Sequence, residues 1–477
     1  FYDDLPSTTI TEILKLLDPD YLVSIYQDAY YDMSDSKAFN MGRVPLQKVL
    51  EGYVASLRNI VANMSRAGKR LRLADYRCLL RAIRVCALGR ESEGLWADMK
   101  KAAIVPDTAC YNEYLAATCW DGLHSSTTRH SFRLTPYTML ARSRQKRGSK
   151  FVNYRVGKYG KTIKAVMTRL VQEMRKNGTP ANEETFAHVM TALSREGDMG
   201  GVKDVLASIF LLDVDAIMSD SSIAKPPLVP TSSPFYPTET LLFTIAHIFG
   251  SNNDIPAALR LVDHISQLYS LPVPLATWRE LLYWTFVLTV PHYGRLAAEW
   301  FENIGSLPGT SFNQLFKTMI NSPYDLTPTM EIIKWLMSNS RRIGEWDLMR
   351  VYIGRAKKIY SASRDEHLAA YKDYLNAERH HMLGRASRER VHHARAVFES
   401  KDVIRARNLR TMRGFVHMIL GKPTLAHIPT DNDLQWDRRD VPDIVWENRK
   451  FVPHLIRYRT IGGVVELELR NPEEIEE

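Results

Sequence analysis

A chain of 477 residues with 45% hydrophobic and 25% charged side chains has ample apolar surface to bury, which excludes a mostly disordered or collagen-like polypeptide. Its formal charge of +9 favours polyanionic partners such as RNA and makes the distribution of that charge the feature to follow. Its cysteines, Cys78, Cys86, Cys110 and Cys119, form no CxxC pair, which excludes zinc ribbons and redox dithiols and favours a reducing compartment.

Residues 1–72 read as an N-terminal helical region. From 73 to 107 the sequence LADYRCLLRAIRVCALGRESEGLWADMKKAAIVPD carries two helical patterns split at Leu88-Gly89-Arg90 and closed by Val105-Pro106-Asp107. Tyr76, Leu79, Leu80, Ile83 and Ala87 line one face of the first helix, and Leu95, Trp96 and Met99 line one face of the second. The pattern restarts at Thr108 with TACYNEYLAATCW, so that Tyr111 and Leu115 fall 35 residues after Tyr76 and Leu80. Weaker copies follow around residues 170–199, from Tyr236, and from Pro274.

Three segments interrupt or end the array. A basic insertion covers 124–160, a Pro/Ser-rich link covers 219–234, and a tail follows residue 420. The insertion carries Arg129, Arg133, Arg142, Arg144, Lys146, Arg147, Lys150, Arg155 and Lys158 with no acid among them, interleaved with Phe132, Tyr137, Phe151, Tyr154 and Tyr159. Cationic heads beside aromatic planes suit the phosphates and bases of single-stranded RNA, and equally describe a solvated arm that docks on an acidic protein.

Beyond 303 helices are expected at 330–337, 345–360 and 364–398, the last an uninterrupted exposed rod. A second basic concentration there includes Arg388 and Arg395 on one face, readable as a phosphate-tracking stripe or as a solvated charged surface. The alternating VVELELR after Gly462-Gly463 predicts a strand or short hairpin in the tail. No apolar run reaches the length of about 20 residues that a membrane-spanning helix needs.

The early aromatic, mid-hairpin glycine, late methionine and closing Pro-Asp of 73–107, with the restart at Thr108, resemble the pentatricopeptide repeat, in particular its degenerate fungal mitochondrial members. That resemblance implies an all-α solenoid of helix-turn-helix repeats over 73–302, followed by a helical region over 303–420 and a tail over 421–477. It implies a non-catalytic RNA-binding protein of the mitochondrial matrix, bound to mRNA or rRNA, associated with the mitochondrial ribosome or acting in translation or transcript stability. The alternative is a helical scaffold that serves assembly or expression of a respiratory or ATP synthase complex without touching RNA. Because the chain starts at Phe1, a transit peptide is expected upstream.

In the family a base is read by the fifth and last residues of a repeat, which fall here at Arg77 with Asp107 and at Asn112 with Asn182. In the next copy the fifth residue is Ala187, whose side chain neither donates nor accepts a hydrogen bond. No cofactor or metal is expected. Gly160-Lys161-Thr162 lacks the upstream glycine of a phosphate-binding loop, and Asp431, Asp433 and Gln435 lack the turn glycine of a calcium loop. The pairs His380-His381 and His392-His393 point in divergent directions on a helix, and the cysteines read as core.

Overall fold

In the computed structural model the residues described are 6–30, 33–123, 129, 132–135, 162–219, 228–290, 304–420, 439–453, 455–460 and 463–468. The chain divides into two compact units, Phe1–Leu326 and Thr327–Glu477.

The first unit opens with helices α1 (Ser7–Leu16), α2 (Pro19–Leu22), α3 (Ser24–Tyr30), α4 (Asp35–Asn40) and α5 (Leu46–Arg66). Leu46, Leu50, Val54, Leu57 and Met64 recur at helical spacing on α5 and are buried. Leu57 joins Leu14, Leu79 and Ala82 in one apolar cluster that seats this region on the first repeat.

The repeats follow as α6 (Leu73–Val85), α7 (Gly89–Lys101), α8 (Thr108–Cys119), α9 (Ile163–Lys176), α10 (Glu183–Arg195), α11 (Met199–Ile209) and α12 (Val214–Met218). They continue as α13 (Glu239–Ser251), α14 (Ile255–Tyr269), α15 (Leu275–Thr289) and α16 (Gly309–Ile320). Helices α6, α8, α10, α13, α15 and α16 pack side by side in that order, each against the next. Helices α7, α9, α11 and α14 form a second layer, each against the first helix of its own hairpin. This is a solenoid of helical hairpins, because neither helix of a pair can bury its apolar face alone.

Hairpin α6–α7 buries Tyr76, Leu79, Leu80 and Ile83 on one helix, and Trp96 and Met99 on the other. Trp96 stacks on Tyr114 of α8 with ring centres 4.6 Å apart, and its edge meets Tyr111. Gly89 is required where α7 starts: a Cβ there would lie 2.5 Å from the Ala117 carbonyl oxygen. Its N–H donates to Asp121 instead (2.7 Å). The basic insertion falls inside the second hairpin, between α8 and α9, and α9 still returns to pack on α8.

The second unit holds α17 (Met330–Ile343), α18 (Trp346–Met382), α19 (Arg388–Leu420), α20 (Val441–Glu447), a 3-10 turn at Arg449–Phe451, and strands β1 (Leu455–Thr460) and β2 (Gly463–Glu468). The strands pair antiparallel in the register Leu455↔Glu468 to Thr460↔Gly463, the hairpin anticipated for the tail.

The expected rod over 364–398 is corrected. Nothing at 361–363 breaks the helix that begins at Trp346, and the true break is Gly384. Gly384 takes φ +69, its N–H donates to the His381 carbonyl (2.9 Å), and the Arg385 N–H donates to that of His380 (2.8 Å). The chain then doubles back, so α18 and α19 form an antiparallel hairpin. The small residues Ser363, Ala377, Ala394 and Ser400 are buried along it, and Tyr374 stacks on Phe398.

Candidate nucleic-acid interface

The last residue of a repeat turns out to be the N-cap of the next first helix. Asp107 accepts from the Cys110 N–H (2.8 Å) and Asn182 from the Thr185 N–H (3.1 Å), each satisfying one of the unpaired donors at a helix start. Thr238 caps α13 in the same way and is held by Glu183, which accepts from its N–H and hydroxyl, both at 2.7 Å. The edges of successive repeats are also tied, since the Thr108 hydroxyl donates to the Pro180 carbonyl (2.7 Å).

The structure brings Asn112 and Asn182 together. The Asn112 amide donates to Asn182 Oδ1 (3.0 Å) and to Glu184 Oε2 (2.9 Å), while its Oδ1 accepts from the Thr185 hydroxyl (2.7 Å). Asn112 is only 2% exposed, and both its amide hydrogens are engaged within the protein. The Glu184 carboxyl is held below its usual range, first by the hydrogen bond from His188, with Asn112 adding to it. Arg77 is exposed on α6, Asp107 is half-buried, and Ala187 is buried.

Arg129 is buried in the first unit and Arg133 is half-buried there. Arg129 is paired with Glu280 Oε2 at 2.7 Å, and Arg133 donates through Nε to Asn253 Oδ1 at 2.6 Å. The Asn253 amide donates in turn to the Leu134 carbonyl (2.5 Å), and the Leu134 N–H to that of Ser251 (2.9 Å). Arg129 and residues 132–135 of the insertion thus act as a strap across the C-terminal end of α13. The partial negative charge of helix C-termini favours arginines in such a place.

The strap closes over a buried group that sequence reading missed. Glu280 Oε1 accepts from Trp284 Nε1 (2.7 Å) and lies 2.5 Å from His247 Nδ1, while Arg195 lies over the rings of Phe132 and Trp120. Burial alone would raise the Glu280 pKa, but Arg129 and His247 outweigh it and hold the carboxyl near about 2. Burial lowers the His247 pKa to about 4, helped by the Arg195 charge, so the ring is neutral and donates its Nδ1 proton to Glu280. The signal available in the sequence was a lone Glu280 in TWRELLYW and a lone His247 in FTIAHIFG, each a polar residue inside an apolar helical run. Both are at most about 1% exposed in their side chains, and Arg129 is 10% exposed, so the cluster acts as a buried lock between α13, α15 and the strap.

Arg142, Arg144, Lys146, Arg147, Lys150, Arg155 and Lys158 lie outside the described residues, as do Gly160-Lys161 and the Asp431, Asp433 and Gln435 segment. Arg388 and Arg395 are both exposed on α19. Arg395 Nε donates to Glu399 (2.9 Å), and neighbouring cations are also paired: Arg390 with Asp373, Lys401 with Glu366 and Arg405 with Asp402. Cys86, Cys110 and Cys119 are buried, and burial pushes the Cys86 and Cys119 thiols up to about 12, which makes them inert packing groups. Among the described residues no three potential metal ligands gather, and no helix is long and apolar enough to cross a membrane.

These hairpins define the class of protein, an α-solenoid of helix-turn-helix repeats. More particularly, residues 183–300 match a family described as "mitochondrial ATPase expression". No curated protein matches the chain by sequence. Among solved structures the chain is similar to the pentatricopeptide repeat protein PPR10 from maize, with 13% identity and a TM-score of 0.38 over 87% of this chain and 49% of that one. It is similar also to PPR10 in complex with an 18-nt psaJ RNA element, with 12% identity and a TM-score of 0.36 over 87% of this chain and 51% of that one. The chain thus spans about half the length of these structures.

Proposed function

We propose that this protein is a non-catalytic RNA-binding factor of mitochondrial gene expression, acting in the matrix on translation or transcript stability and in association with the mitochondrial ribosome. The observation that carries the proposal is the ordered row of first helices, of which the stretch 183–300 matches a family named for mitochondrial ATPase expression. A row of this kind offers one continuous surface for an extended ligand, and occupancy of that surface is the mechanism. The net charge of +9 and the one-sign insertion supply the long-range attraction and the phosphate contacts.

A second reading, a scaffold that holds a protein of the ATPase instead of RNA, is favoured by one observation. The Asn112 amide donates to Asn182 and to Glu184, so reading a base would require that network to open.

The two readings separate on salt dependence. Reversing the charge at Arg142, Arg144, Lys146 and Arg147 together should weaken binding to single-stranded RNA and flatten the slope of log affinity against log salt by roughly 0.7 per lost phosphate contact. An unchanged slope removes the insertion from the interface, and an unmodified chain that retains no RNA at low salt favours the scaffold.

A further inference from the structure

Apart from any RNA surface, the far end of the α18–α19 hairpin carries large apolar side chains that the fold does not use. Leu368, Tyr371, Leu375 and Met382 follow one another at spacings of three, four and seven residues, which places them on one face of α18. They are 49%, 40%, 43% and 79% exposed, and Leu383 at the turn is 57% exposed. The turn is held tightly by the hydrogen bonds around Gly384, so this display is built into the hairpin.

The charge around this face has one dominant sign. Arg364, Lys372 and Arg379 stand one helical turn from Leu368 or Leu375 on the same side, and Arg385 follows the turn. Most acids near this face are bonded away from it, and Asp365, which flanks it, lies at the end away from the turn. Asp373 is bonded to Arg390, Glu366 to Lys401, and Glu378 accepts from the Tyr374 hydroxyl, while Asp365 lies beside Arg364 at 3.9 Å. A convex stripe about 20 Å long, aliphatic along its crest and cationic along its flanks, results at 1.5 Å of helix per residue.

The geometry points to a peripheral membrane contact: the α18 face and the Met382-Leu383 tip lie in the interface of a bilayer rich in anionic phospholipid. Aliphatic side chains enter the acyl boundary, and the long stems of Arg379 and Lys372 reach back to the phosphates. RNA fits this face less well, because base stacking needs aromatic planes and Tyr371 supplies one, already partly set against Phe398. A pocket on an acidic protein would grip a compact knob rather than a ridge spread over four helical turns.

The test floats the full chain in a density gradient with vesicles of phosphatidylcholine alone, and of phosphatidylcholine mixed with phosphatidylglycerol. The chain should float only with the anionic vesicles. The double variants Met382→Ser with Leu383→Ser, and Leu368→Ser with Leu375→Ser, keep every charge and alter exposed positions, so the hairpin should stay folded. Each should lower the bound fraction roughly tenfold, because attachment scales with the apolar area inserted. Undiminished binding by these variants would mean plain charge attraction and would overturn the proposal, as would a parent chain that does not float. Loss of RNA retention by the serine variants, with no vesicle binding by the parent, would reassign the face to RNA. RNA retention is read on the same preparations, so failure of the RNA-binding reading leaves the vesicle result interpretable.

Discussion

Glu280 is a buried carboxylate with two neighbours that need it, Arg129 from the strap and His247 from α13. Removing its charge leaves a guanidinium in a dry interior, which costs far more than the pair contributes while intact. Glu280→Gln should therefore destabilise the first unit by about 3 to 5 kcal/mol in urea unfolding, whereas Arg129→Met combined with Glu280→Met should cost less than either single change. His247 adds a pH signature. Its folded pKa lies below the ordinary 6.5, so the unfolded chain takes up a proton that the folded chain refuses. The stabilisation is complete above 6.5 and is lost as pH falls towards about 4. Across that window the parent should lose about 1 kcal/mol per pH unit more than His247→Gln, while Glu280 keeps its charge throughout. Superimposable pH profiles for parent and variant would contradict this assignment of the proton.

At the scale of elements, close approach between neighbouring first helices sets the tolerance for added atoms. A Cβ on Gly250 would sit 2.4 Å from Cδ1 of the fully buried Trp284, so Gly250→Ala must push α13 away from α15 and should cost about 1 to 3 kcal/mol. Gly94, inside α7 with nothing within 4 Å of the added atom, provides the contrast. Gly94→Ala should raise stability by up to about 1 kcal/mol through helix propensity alone, and thermal unfolding of the two variants checks both signs. The first hairpin was legible because its signals are local: an apolar period, a glycine at the turn and a Pro-Asp before the next helix. The α18–α19 turn was missed because a single Gly384 in a polar, helix-favouring stretch is ambiguous until a partner helix exists to receive the returning chain.

For the whole molecule, the repeat period made the solenoid readable, since one local pattern repeated in sequence is also repeated in space. The candidate site was readable only by position. Asn112 and Asn182 were paired by the family resemblance, but the burial of Asn112 and its bonds to Asn182, Glu184 and Thr185 depend on how two first helices pack. Arg129 and Arg133 looked like members of a solvated basic run, and their acidic and amide partners lie in later repeats, beyond the reach of any local pattern.

The central claim, that RNA occupies the row of first helices and the insertion, is met most directly by ultraviolet crosslinking of the protein in intact mitochondria, with the crosslinked peptides mapped. RNA is expected on peptides from the exposed first-helix surface around Arg77 and from residues 142–158. Recovery of the protein in stable contact with other polypeptides, with no RNA on either segment, would contradict it.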